Sequence, residues 1–361
     1  MLNRLLDLAI QIQQIPAPTF DEAARGKFIL EMFSHEALPD VQTDSVGNVF
    51  ARIPGSESKP PLVVSAHLDT VFPAGTDLGI RRENGRICGP GIGDNSLGVA
   101  GLLALLWSLR EQKISPPGDV WLVANTCEEG LGDLRGMNAV VDRFGTGPRA
   151  YIILEGMALG HIYHRAVGVR RYKVSAHTDG GHSWIDYGKP SAIHELSELV
   201  TKIAGLYLPL SPRTTLNVGR MGGGTSINTI AAEAWLELDL RSEAVDALAE
   251  LSRQLESLVE TANKTGVEFD LQVIGQRPAG EIAIDHPLIK LAESCLVEQG
   301  IQPNLTVGST DANIPLSRGY PALVLGLTQG GGAHTAQEFI ETGPLEQGLW
   351  QLVNFVKQVW E

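Results

Sequence analysis

The sequence predicts an α/β fold in which a central mixed, mostly parallel sheet is flanked by helices and interrupted by an inserted α+β unit. Three observations carry this. Short apolar runs at residues 62–66, 120–125 and 150–154 alternate with stretches of helical periodicity, as buried parallel strands do. Each run ends in acid or imidazole groups, on the edge where open α/β sheets hold their ligands. Between residues 168 and 277 the pattern changes to β-α-β-β-α-β, the ferredoxin-like order.

Taken in chain order, residues 1–34 read as two helices separated by Pro16 and Pro18. An edge-like strand at 44–53 and a loop at 54–61 precede the first buried strand, which ends in His67-Leu68-Asp69. Residues two apart on an extended chain point the same way, so His67 and Asp69 share one side of that strand end. A polar, Gly-rich stretch follows, and Asp94-Asn95-Ser96 caps an apolar helix at 97–110. The strand at 120–125 runs into Glu128-Glu129-Gly130, and the strand at 150–154 into Glu155-Gly156. In the insert, strands are expected at 170–177, 214–221, 233–241 and 267–273, with helices at 191–208 and 245–264. After Pro278 come a helix at 287–299, the loop 308–313, a strand at 321–327, the run Gly330-Gly331-Gly332-Ala333-His334-Thr335 and a closing helix from 344. The domains implied are 1–167 with 278–361, discontinuous, and the insert 168–277.

Composition narrows the function. A net charge of −14 argues against nucleic-acid and anionic-membrane partners, and a small anionic substrate would need a local cationic site. The opening residues lack the uninterrupted apolar core of a signal peptide, and no run reads as long enough to span a bilayer. Cys88, Cys127 and Cys295 form an odd, widely spaced set that suits a reducing cytoplasm. Beside Glu128 and Glu129 the Cys127 thiolate is disfavoured, so that cysteine reads as structural.

Chemistry concentrates in His67, Asp94, Glu129, Glu155 and His334, with Asp69 and Glu128 beside them. Imidazole and carboxylate ligands without thiolates suit zinc, and also cobalt or manganese. Two histidines and three carboxylates exceed one catalytic ion but match two that share a bridge about 3.5–4 Å apart. Glu128 is then free to act as general base, and Asp69 to fix His67.

These motifs, with a ferredoxin-like insert before the last of them, resemble the dizinc metallopeptidase superfamily. It includes glutamate carboxypeptidases, acetylornithine and succinyl-diaminopimelate deacylases, aminoacylases, carnosinases and peptidase T-like tripeptidases. The resemblance implies a zinc-peptidase-like catalytic domain with an inserted lid and dimerisation domain. It implies two zinc ions, one held by His67, Asp94 and Glu155, the other by Asp94, Glu129 and His334, and a cis peptide at Asp94-Asn95. His182 in Gly180-Gly181-His182-Ser183 resembles the lid histidine that helps hold an oxyanion, often from a partner subunit. Asn228 and Arg241 match positions that grip a substrate carboxylate, a task suited to the bidentate guanidinium. Family members often carry Lys where this chain has Ser96. Glu155 resembles the carboxypeptidases and deacylases, whereas residues 309–313 look more like the tripeptidases.

The expectation is a cytoplasmic, homodimeric hydrolase that cleaves an amide bond in a small peptide or N-acyl amino acid with metal-activated water. An aminopeptidase acting on di- or tripeptides is the alternative within the class, and a metal-free binding protein on the same scaffold the alternative outside it. The glycines at 89–93 miss the dinucleotide-binding spacing, and Asp94 has the wrong charge to face a phosphate.

Overall fold

A computed structural model describes residues 1–361. The chain divides into two compact units, Met1–Ala166 with Glu281–Glu361, and Val167–Gly280.

In the first unit the strands lie in the order Gln42–Thr43, Val49–Ile53, Gly118–Asn125, Lys59–His67, Ala150–Glu155, Ala322–Gly326, His161–Ala166, with Asn304–Gly308 on the last. The four inner neighbours from Gly118–Asn125 to Ala322–Gly326 are parallel, so their C-terminal ends share one edge. Their apolar side chains feed a core on both faces, packed against Leu2–Gln13, Leu97–Glu111 and Leu345–Gln358 on one side and Arg135–Phe144 on the other. Burial on both faces explains the near-continuous Val/Ile/Leu runs in these strands.

Pro60 and Pro61, expected in a loop, lie within the strand Lys59–His67. The ladder shifts register between the Lys59↔Gly118 and Leu62↔Val120 pairs, so the missing N–H groups fall where regular pairing is interrupted. Residues 73–93, expected to be irregular, contain the hairpin Arg81–Glu83 and Arg86–Cys88, onto which Phe339–Glu341 and then Gly330–Gly331 pair. This small sheet brings the turn containing His334 beside the loop that leads to Asp94. The expected absence of a bilayer-length apolar stretch does not hold. Ile92–Glu111 is long and apolar enough to cross a membrane, but 94% of its most apolar window is buried inside this unit, so its composition reflects a core helix.

The second unit is a four-stranded antiparallel sheet ordered Thr214–Gly223, Glu233–Ser242, Gly168–Thr178, Val267–Arg277. Helices Ala192–Ala204 and Val245–Ala262 bury Leu196, Leu199, Ile203, Leu251, Leu255 and Val259 against Tyr172, Val174, Leu236 and Leu240. The connectivity is that of a ferredoxin-like domain.

Candidate metal centre

Each element ending at the sheet edge delivers one part of the centre. His67 closes its strand and pairs in register with Asn125, while Glu155 closes the neighbouring strand opposite Gly326. Glu128 and Glu129 follow Gly118–Asn125 through Cys127, whose φ of 57° turns the chain sharply. Asp94 lies in the tight turn Ile92–Ser96 before the core helix, and its peptide bond to Asn95 is cis.

Of three overlapping ligand groups, two share Asp94: His67 with Asp94 and Glu155, and Asp94 with Glu129 and His334. Asp94 belongs to both, and one of its oxygens serves each: Oδ1 is 3.1 Å from His67 Nε2, and Oδ2 is 3.2 Å from His334 Nε2. His334 Nε2 is also 3.2 Å from Glu129 Oε1, and His67 Nε2 is 3.9 Å from Glu155 Oε2. Glu128 adjoins the first group, within reach of His67 and Glu129.

The electrostatics are those of an acidic cluster that favours cations. Hydrogen bonds to Asp94 and then Glu129 push the His334 imidazole up to about 10. Burial opposes ionisation of Asp94, yet His334 and His67 together bring its carboxyl well below the usual range. Burial drives Glu155 well above that range. Asp69, Asp94, Glu128, Glu129 and Glu155 crowd around only two imidazoles, an imbalance that divalent cations would neutralise. The oxygen and imidazole donors therefore fit two such ions.

Asp69 lies beside His67, its carboxylate 3.6 Å from Nδ1, and that carboxylate also serves the main chain. Its carboxylate accepts from Glu128 N and Glu129 N, each at 2.9 Å, and from Thr19 Oγ1 at 2.9 Å. His67 Nδ1 also meets the backbone carbonyl oxygen of Asp69 at 3.0 Å. The main chain thus sets the His67 tautomer, leaving Nε2 to face Asp94.

Several supports escaped the sequence reading. Glu22 accepts from Cys127 N at 3.0 Å, and the fully buried Arg25 donates to the Leu68 and Ile15 carbonyls. With Thr19, these residues tie the start of the chain to both acidic strand ends. Asn95 brackets Glu155, donating to Leu154 O at 2.8 Å and accepting from Gly156 N at 3.1 Å. Asp311 accepts from Asn125 Nδ2 at 2.7 Å beneath the sheet edge. None of these contacts has a local sequence signature.

Cys127 is buried, and desolvation followed by Glu22 and Asp69 pushes its thiol up to about 11, which fits an inert residue. His182, Asn228 and Arg241 belong to the second unit, and all three are exposed. His182 Nδ1 accepts from Trp184 N at 3.2 Å, which leaves Nε2 as the N–H of the neutral ring. Arg241 Nε donates to Asp239 Oδ1 at 2.6 Å, and Asn228 Oδ1 accepts from Ser226 Oγ.

The sequence profile of the peptidase family M20/M25/M40 matches residues 63–361, a span that includes the whole ligand set. The chain belongs to this peptidase family. Among M20 relatives, it is 28% identical to a succinyl-diaminopimelate desuccinylase of Corynebacterium glutamicum, over 75% of each chain. It is 25% identical to a probable carboxypeptidase of Arthroderma otae, over 96% of this chain and 84% of that one. A tripeptidase from Staphylococcus aureus shares the fold with a TM-score of 0.84 at 23% identity, covering 99% of this chain and 98% of the other. The M20 chain is accordingly a peptidase or amidohydrolase, and its α/β architecture with a mixed, mostly parallel sheet is that of its structural neighbours.

Proposed function

We propose that this protein is a two-metal hydrolase that cleaves an amide bond in a small peptide or N-acyl amino acid, in the manner of a carboxypeptidase or deacylase. The observation that carries this reading is the placement of Asp94, with one carboxylate oxygen toward each ligand group and Glu128 alongside. His67, Asp94 and Glu155 would hold one ion, and Asp94, Glu129 and His334 the other, with zinc the leading candidate and cobalt or manganese also suited. Such ions supply Lewis-acid polarisation of a carbonyl and make a water molecule acidic at neutral pH.

Glu128 takes the water's proton and returns it to the leaving nitrogen, a shuttle that a buried carboxylate on a fixed turn can perform. Asp69 holds the backbone beneath both Glu128 and Glu129, so base and ligand keep one spacing. By the motif resemblance His182 supplies Nε2–H to the developing oxyanion, and a homodimer formed through the second unit would let it act on a partner copy. Arg241 and Asn228 grip the substrate's free carboxylate. For these three residues the support is the motif resemblance, their exposure, and the tautomer set at His182.

The test is turnover of N-acyl amino acids, N-blocked dipeptides and free-amine di- and tripeptides with added zinc, cobalt or manganese. Substituting Glu128→Gln is expected to lower kcat by roughly 10²–10⁴-fold with metal content unchanged. Strict dependence on a free N-terminus would defeat the carboxypeptidase reading in favour of an aminopeptidase. A wild-type chain that binds no metal and cleaves nothing would point to a binding protein.

A further inference from the structure

Glu338 is fully buried, and its carboxylate is occupied by peptide groups. Oε1 accepts from Gly93 N at 2.8 Å and Asp94 N at 2.9 Å, and Oε2 accepts from Gly91 N at 3.0 Å. Gly91 has φ +73°, a left-handed conformation that helps the neighbouring N–H groups converge into an anion-binding nest. The Glu338 main chain grips the same loop, its carbonyl accepting from Gly89 N at 2.9 Å.

The loop held in this way carries Asp94, and Glu338 follows His334 by four residues in a turn whose Glu338 N–H donates to Thr335 O at 3.2 Å. One side chain therefore connects the backbone of the shared carboxylate to the segment presenting the imidazole that faces it at 3.2 Å. A cap that merely completed the helix start would need no such link. No contact within either segment would set the Asp94–His334 spacing, because the two are far apart in sequence.

Resting on the two-metal reading above, we propose that Glu338 is a positioning residue for the Asp94–Glu129–His334 metal group, and that its carboxylate preorganises Asp94 and His334 as a pair. Glutamine has the same shape but puts an NH2 donor against at least one of the three backbone N–H groups. The loop must then shift, and Asp94 shifts with it. Asp94, Glu129 and His334 lose more than His67, Asp94 and Glu155, because only the former group has two members tied to Glu338.

The experiment titrates Co²⁺ into metal-stripped full-length chain, followed by calorimetry and by visible absorption of the bound ion. Wild type is expected to take up two Co²⁺. Glu338→Gln is expected to weaken one of them by roughly 10–100-fold and alter its absorption bands, the other changing less. Leu352→Ala, in the core of the closing helix, serves as a control that lowers the melting temperature without touching the loop. Unchanged affinities and spectrum in Glu338→Gln would overturn the proposal, as would equal Co²⁺ weakening in a control of matched melting temperature. If Glu338→Gln fails to fold, Glu338→Asp, which keeps the charge but falls one methylene short, takes its place with the same expectation and the same refutation. A wild-type chain that binds no Co²⁺ pair removes the two-metal reading itself, an outcome distinct from one confined to Glu338.

Discussion

Replacing Asp69 by asparagine isolates what its carboxylate does, because shape is kept while one acceptor becomes a donor. The two oxygens accept three hydrogen bonds, from Glu128 N, Glu129 N and Thr19 Oγ1. The Thr19 hydroxyl can rotate and accept instead, but a backbone N–H cannot. Whichever way the amide is placed, one of the two N–H groups faces an NH2 in a site where residue 69 is fully buried. Loss of a charge-assisted bond and exposure of an orphaned donor cost about 2–4 kcal/mol together, somewhat offset by relief of the Asp69 repulsion that helps raise the Glu22 pKa. For a unit of this size that is a fall of roughly 4–16 °C in melting temperature. Because Glu128 and Glu129 both hang from the disturbed backbone, kcat/KM should fall by roughly 10–100-fold. Thermal melts and steady-state kinetics on Asp69→Asn check both numbers. Activity within about twofold of wild type with an unchanged melt would refute the assignment of those hydrogen bonds to the working geometry.

Two further outcomes are expected. His286 caps the helix Pro287–Val297 by accepting from Leu288 N, and burial followed by Arg149 lowers its pKa, with Asp285 opposing. The unfolded chain therefore binds a proton first, so the His286 contribution to stability is full above about pH 6.5 and is lost as pH falls below it; burial makes His164 contribute with the same sign, whereas His334, pushed up to about 10, contributes with the opposite one. The melting-temperature difference between wild type and His286→Asn, which keeps a capping acceptor without the titration, should shift against wild type as pH falls from about 7.5 to 5.5, and a constant difference would contradict this. Gly326 pairs with Glu155, and a Cβ there would lie 1.9 Å from both Ala158 C and Leu159 N, backbone atoms that cannot swing away. Gly326→Ala should destabilise by more than about 4 kcal/mol or prevent soluble expression, and a variant with a wild-type melt would show that the strand edge has room the structure does not.

Much of the site could be read before any geometry was known. A parallel sheet must gather its strand ends on one edge, so acid and imidazole groups closing three separate apolar runs had to become neighbours. His67, Glu128, Glu129 and Glu155 are of that kind. The core helix 97–111 was equally legible, its apolar residues running all the way round. Harder to read were the hairpin at 81–88 and its pairing with Phe339–Glu341, where short, polar segments find partners some 250 residues away.

Local periodicity and residue chemistry by themselves determined the α/β class, the ferredoxin-like order of the second unit and the donor types gathered at the sheet edge. Tertiary structure alone decided how those donors are held. Glu22, Arg25, Asn95 and Glu338 act on backbone N–H and C=O groups across long stretches of chain, and a peptide group looks the same at every position of a sequence. For the same reason a further role of Asp69 was hidden: its spacing from His67 suggests an imidazole partner, and burial also places its carboxylate where two main-chain donors need an acceptor.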